Sequence, residues 1–198
     1  MKILVTGFEP FLGERLNPSE MLANELEQNF PEVKSLILPV EFARSFEILK
    51  KHLDSNSSYD FLIMIGQASG RSKICFEKIG LNWVQTEHRD EKGVLPAAGR
   101  IAEGGPLALM TEFPVDEVFT QLKADQFPVE ISFSAGTFVC NDLYFRVLQQ
   151  YPKLKAVFIH VPLIQAQATE GKPFISYSEG LICFSEIIEF LKKKYGSQ

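Results

Sequence analysis

The segment Ser134-Ala135-Gly136-Thr137-Phe138-Val139-Cys140-Asn141 carries an apolar run into a small-residue turn and then into a helical pattern. Thr137 is the expected N-cap, which places Cys140 in the first helical turn. There, unpaired backbone N–H groups and the positive end of the helix dipole favour a thiolate. The same N–H groups can cradle an oxyanion. A free cysteine is also commonly a small buried hydrophobe, so position alone leaves both readings of Cys140 open. Cys183 lies in the apolar stretch Leu181-Ile182-Cys183-Phe184 and reads as core, and Cys75 belongs to an extended arm without a helix start.

His160 follows Ala156-Val157-Phe158-Ile159 and precedes Val161-Pro162, at the carboxyl end of an expected strand. In open α/β sheets, sites gather at such ends, and Cys140, after its own strand, is expected at the same edge. A lone histidine in an apolar run is otherwise a satisfied core residue. His52 reads as part of a solvated helix face, and His88 falls in a charged loop. Glu77 interrupts the apolar arm around Ile74-Cys75-Phe76 and Ile79. A carboxylate there can fix the tautomer of an imidazole and stabilise the imidazolium, although a solvent-facing strand residue gives the same pattern.

These groups need a scaffold to bring them together. Residues 2–6, 33–40, 61–65, 129–133 and 155–161 are short apolar runs of strand type. Helical spacing runs through residues 18–29, 41–53, 115–123, 137–150 and 178–194, and Asn17-Pro18-Ser19-Glu20 is a helix start with Asn17 as N-cap. Residues 74–83 read as an extended arm or hairpin, and residues 84–106, rich in Gly, Pro and charge, as a long surface loop with room for a β-ribbon, a kind of loop that is often functional. Strands alternating with helices imply an α/β fold: a single three-layer αβα domain over 1–198, with a largely parallel, partly mixed twisted sheet.

Composition removes several function classes. With 20 Lys plus Arg against 25 Asp plus Glu, the surface repels phosphate backbones, so no nucleic acid partner is expected. The basic run Lys192-Lys193-Lys194 falls where it complements a helix C-terminus. Three widely spaced cysteines form neither a disulfide framework nor a zinc site, and no apolar run is long enough to span a bilayer. The expectation is a soluble, reduced, cytoplasmic protein. Gly7-Phe8-Glu9-Pro10-Phe11-Leu12-Gly13 lacks the glycine spacing and the Lys of phosphate-binding loops, which disfavours a nucleotide. Phe8 and Phe11 read instead as exposed aromatics suited to a flat apolar ligand. Gly66-Gln67-Ala68-Ser69-Gly70-Arg71 offers an amide, backbone donors and a guanidinium at the same edge.

At these residues the chain resembles the pyroglutamyl peptidase family, the pyrrolidone-carboxylate peptidases. The matching segments are Thr6-Gly7-Phe8-Glu9-Pro10-Phe11, Asn17-Pro18-Ser19, Gly66-Gln67-Ala68, Gly70-Arg71, Glu77, Asn82, residues 134–141 and Phe158-Ile159-His160-Val161-Pro162. They keep the family's order along nearly the whole chain. The resemblance implies a catalytic triad of Glu77, Cys140 and His160 that removes an N-terminal pyroglutamyl residue from small peptides, without cofactor or metal. It also implies Phe8, Phe11 and Phe138 around the lactam ring, Asn17 and Gln67 beside the substrate, and a homo-oligomer, tetramer or dimer. The chemistry is consistent, because a flat neutral lactam without a free amine is held by aromatic faces rather than by a charged anchor.

The chain departs from the family pattern in places. Leu12-Gly13 stands where Gly-Gly is usual, and Ser69-Gly70-Arg71 where Gly-Gly-Arg is usual. Thr86-Glu87-His88-Arg89-Asp90-Glu91 replaces Ala-Arg-Ile-Pro-Asp-Asn, so that Glu87 reverses a charge near the expected site entrance. Two alternatives remain: a cysteine hydrolase of another small cyclic amide, and a weakly catalytic relative that binds pyroglutamyl-capped peptides.

Overall fold

The computed structural model describes residues 1–55, 58–168 and 171–196. The chain runs through β1 (Ile3–Phe8), α1 (Pro18–Asn29), β2 (Val33–Leu38), α2 (Arg44–Ser55), β3 (Phe61–Gln67), β4 (Ile74–Glu77) and β5 (Ile79–Leu81). It continues through β6 (Ala108–Met110), α3 (Val115–Ala124), β7 (Val129–Ser132), α4 (Val139–Gln150), β8 (Lys155–Val161), β9 (Leu163–Ile164), β10 (Phe174–Ile175) and α5 (Tyr177–Tyr195). Strand order in the central sheet is β2-β1-β3-β8-β4-β7. The first four strands in that order are mutually parallel, β4 runs antiparallel to β8, and β7 is parallel to β4.

β1, β3 and β8 are buried at nearly every position, because helices cover both faces of the sheet. On one face Ile3, Val5, Ile63, Val157 and Ile159 meet Leu26 of α1, Leu122 of α3 and Phe184 and Ile187 of α5. On the other, Leu4, Leu62, Met64, Ala156 and Phe158 meet Leu49 of α2 and Leu143, Tyr144 and Val147 of α4. The three-layer α/β architecture expected from the alternating elements is therefore present.

Two local expectations are corrected. Residues 74–77 form no outlying arm: β4 lies inside the sheet, between β8 and β7. Ile74 and Phe76 bury into the α1/α3/α5 core while Cys75 and Glu77 point to the opposite face, so both faces of the segment are covered. Nor does Cys140 reach the shared edge from the carboxyl end of its own strand, because β7 runs opposite to β8. Ser132 pairs with Glu77, level with Phe158, and residues 133–138 lead to α4, whose Cys140 Sγ approaches Gly66, the residue paired with His160.

Polar side chains fix the connections. Asn17 caps α1 as expected, its Oδ1 accepting from Ser19 N at 3.0 Å and Ser19 Oγ at 2.8 Å. Its Nδ2 donates to the Glu9 carbonyl at 3.0 Å, which holds the loop after β1. The N-cap of α4 is Phe138 rather than Thr137, and no side chain bonds to its free amides. Thr137 is engaged elsewhere, its hydroxyl donating to the Gln85 carbonyl at 2.6 Å. Asn141 clamps β5 to α4 by bonds to both Leu81 N and Leu81 O, each 2.9 Å. Asn82 and Asp90 organise the long loop: Asn82 pairs twice with Ala102 at 2.8 Å, and Asp90 accepts from Phe42 N at 3.0 Å and Val94 N at 2.8 Å.

β1 passes so near the first turn of α1 that a Cβ on Gly7 would lie 2.4 Å from the Ser19 carbonyl oxygen. Gly7→Ala is expected to destabilise the fold by about 1–3 kcal/mol, the range for overpacking. The loss should appear as a lower urea midpoint, and an unchanged midpoint would contradict this close approach.

Candidate active site

Antiparallel pairing of β4 with β8 sets Cys75 opposite His160 and Glu77 opposite Phe158. Glu77 is thus the diagonal same-face neighbour of His160, a separation that long side chains bridge. Glu77 Oε1 lies 2.8 Å from His160 Nδ1, with Glu77 0% and His160 6% exposed. Arg71 Nη2 donates to the same carboxylate oxygen at 3.0 Å, and also to Ser132 Oγ and the Ser134 carbonyl, both at 3.3 Å. The guanidinium offsets the buried carboxylate and ties the end of β7 to it. From α4, the Tyr144 hydroxyl donates to the Glu77 carbonyl at 2.8 Å. Glu77 Oε2 is buried without a hydrogen-bond partner among the described residues.

Cys140 lies in the first turn of α4, half-buried. A Cβ on Gly66, which pairs in register with His160, would sit 3.2 Å from Cys140 Sγ and 2.7 Å from Phe158 Cζ. Glycine at 66 therefore leaves the room the sulfur needs. Burial, together with the nearby Glu77 carboxylate, pushes the thiol up to about 12, against the lowering effect of a backbone hydrogen bond. The sulfur is consequently a neutral thiol at neutral pH and needs a base to become a nucleophile. Because Phe138 offers no capping oxygen, the first amides of α4 stay free to receive negative charge.

Cys140 and His160 line a cavity of about 540 Å³. Phe8, Phe11, Asn17, Gln67 and Phe138 all lie on its walls. Phe138 packs edge-on against Phe42, with ring centroids 5.1 Å apart. Gln67 Oε1 accepts from Gln167 Nε2 at 2.9 Å, which fixes that amide. Phe8 corrects the expectation of exposed aromatics: it is the last residue of β1 and only 2% exposed, because its ring packs near Phe158, whereas Phe11 is partly exposed. Cys75 and Cys183 are buried and do not line the cavity. His52 lies apart, with Nε2 2.9 Å from the Tyr59 hydroxyl. Among the described residues, no group of three or more His, Cys, Asp and Glu could hold a metal ion.

The link from Arg71 to Glu77 escaped the sequence reading, although a signal existed. A glutamate inside an apolar strand requires a counter-charge, and Arg71 is six residues away, across the turn that opens β4. Ser132 and Ser134, which share that guanidinium, carried no such signal.

A thiol at a helix start and an imidazole steadied by a carboxylate are the equipment of cysteine hydrolases, and here both groups line one cavity. Comparison with known proteins narrows the class. The model of the family described as pyroglutamyl peptidase matches residues 1–192, and the chain belongs to that family. A pyrrolidone-carboxylate peptidase of Lactobacillus helveticus is 36% identical over 180 residues, covering 87% of this chain and 88% of the relative. One from Thermosipho melanesiensis is 38% identical over 186 residues, covering 90% and 91%. The crystal structure of pyrrolidone carboxyl peptidase from Fervidobacterium islandicum superposes with a TM-score of 0.89 at 31% identity, covering 98% of this chain and 99% of that one. Pyroglutamyl peptidase I of Bacillus amyloliquefaciens gives 0.86 at 30% identity, with 93% of each chain covered.

The folded protein holds the Cys140 proton more tightly than the unfolded chain does. Burial of the thiol is therefore without cost at low pH and destabilises as pH rises through the ordinary thiol value towards about 12. In His160→Ala, iodoacetamide labelling of Cys140, followed by peptide mass mapping, is expected to climb about tenfold per pH unit from about 8 to 10. A plateau near about 8.5, the value of a free thiol, would contradict the raised proton affinity.

Proposed function

We propose that Cys140, His160 and Glu77 are the nucleophile, the acid–base group and the orienting carboxylate of a peptidase that removes N-terminal pyroglutamyl residues from small peptides. The observation that carries this reading is the contact of Glu77 Oε1 with His160 Nδ1 at the wall of the cavity that also holds Cys140. With Nδ1 committed to Glu77, Nε2 is the ring nitrogen left to take the thiol proton.

As Cys140 Sγ attacks the pyroglutamyl carbonyl carbon, its proton passes to His160. The oxyanion that forms faces the free amides of α4. The C–N bond then breaks as His160 protonates the leaving amine, and a thioester remains on Cys140. Water, deprotonated by His160, cleaves that thioester, releasing pyroglutamic acid and restoring the thiol. Phe8, Phe11 and Phe138 bury the faces of the lactam ring, Gln67 offers its amide to the ring's polar edge, and Asn17 shapes the wall beside it. No step calls for a metal or a cofactor.

Residues 1–198 act as one catalytic domain in this reading. The exposed apolar side chains Leu107, Met110 and Phe133 supply surface for a homo-oligomer, a dimer or tetramer. Three free cysteines suit a cytoplasmic setting, and among the described residues no helix is long and apolar enough to cross a membrane.

A pyroglutamyl amide of aminomethylcoumarin is expected to release its fluorophore, with release abolished in Cys140→Ala. Glu77→Gln is expected to lower kcat by about two to four orders of magnitude, through loss of tautomer control. Prolyl and acetyl amides, which lack the lactam, should be poor substrates. Folded protein with no turnover, or equal turnover of all three amides, would overturn the proposal.

A further inference from the structure

We infer that a second cleft, opening off the catalytic cavity beside the start of α4, receives the residue that follows the scissile bond, and that Glu87 makes this subsite favour a basic side chain. The inference rests on the pyroglutamyl peptidase reading and adds to it the choice of leaving group.

The cleft has a volume of about 660 Å³ and shares Thr86, His88 and Phe138 with the catalytic cavity, so the two spaces adjoin. Its further walls include Gln85, Glu87 and Thr137. The aromatic part of the cavity suits the ring that precedes the scissile bond, which leaves the cleft as an exit for the chain that follows it. Its walls are held in place. Gln85 N donates to the Thr137 carbonyl at 3.2 Å, and the Thr137 hydroxyl donates back to the Gln85 carbonyl at 2.6 Å. Val84 and Gly99 exchange two further backbone bonds of 2.8 and 3.0 Å. This strip of the long loop is therefore fastened to the residue just before the cap of the nucleophile helix, and a side chain leaving Cys140 would meet a fixed surface.

Charge gives the subsite its preference. Glu87 is the only Asp, Glu, Lys or Arg among the described residues that line the cleft. It is exposed, and no ion pair among the described residues engages it. A lysine or arginine side chain beside it gains a partner, whereas an acidic one meets a like charge. At an exposed position each effect is small, but they act in opposite directions on the two substrates.

The experiment compares kcat/KM for pyroglutamyl-lysyl, pyroglutamyl-alanyl and pyroglutamyl-glutamyl amides, with products separated by chromatography. At low salt the lysyl substrate should exceed the glutamyl one by about five- to tenfold, the combined size of two exposed charge effects. The ratio should shrink in high salt, where exposed charges are screened. Glu87→Gln should bring it near unity, and Glu87→Lys should invert it. A ratio that is blind to side-chain charge overturns the inference. So does a ratio that ignores Glu87 but responds to Glu14→Gln or Lys172→Gln, the charged residues on the wall of the catalytic cavity itself. Turnover of none of the three peptides overturns the proposed function as well, whereas charge-blind turnover overturns only the subsite.

Discussion

A carboxylate with no exposed surface can persist in this fold only because β4 pairs antiparallel with β8. That pairing sets Glu77 diagonally behind His160, with their side chains on the same face. A slip of one residue in β4 would turn Glu77 into the core that Ile74 and Phe76 fill, where no counter-charge waits. A buried, unpaired carboxylate is costly enough to destabilise the whole sheet. Arg71 completes the arrangement by sharing the oxygen that His160 uses, and its bonds to Ser132 and Ser134 join the end of β7 to the same point. Sheet register, charge balance and imidazole orientation are thus one constraint.

Cys140 obeys a different balance. Burial and the Glu77 charge push the Cys140 thiol up, while its place at the start of α4 favours negative charge. In the proposed mechanism the sulfur starts as a thiol and becomes nucleophilic only as it gives up its proton, which makes the orientation of the imidazole decisive. The uncapped start of α4 fits this economy of donors: with Thr137 turned to Gln85, no side-chain oxygen competes with a developing oxyanion.

The same bond shows where sequence reasoning reaches and where it stops. β8 was legible to the residue, since residues 155–161 form an unbroken apolar run, and the Asn17-Pro18 start of α1 was equally plain. Cys140 and His160 could be singled out because a turn followed by a helix, and an apolar strand end, are local patterns. The place of β4 was not legible. Its four residues alternate as an exposed hairpin arm would, and only the second core beneath Phe76 distinguishes the two. The α4 cap was misjudged because the competitor for the Thr137 hydroxyl is a carbonyl 52 residues away, a contact that no local pattern carries. Phe8 read as exposed because Gly7 before it and Pro10 after it resemble a loop, whereas β1 extends through Phe8.

The central claim is that Glu77 commits one nitrogen of His160 and so leaves the other for the sulfur. Histidine-selective nitrogen NMR of the resting protein reads the position of the ring proton directly. The account predicts a ring proton on Nδ1, bonded to Glu77. A resting His160 that carries its proton on Nε2, with Nδ1 unprotonated, would contradict it.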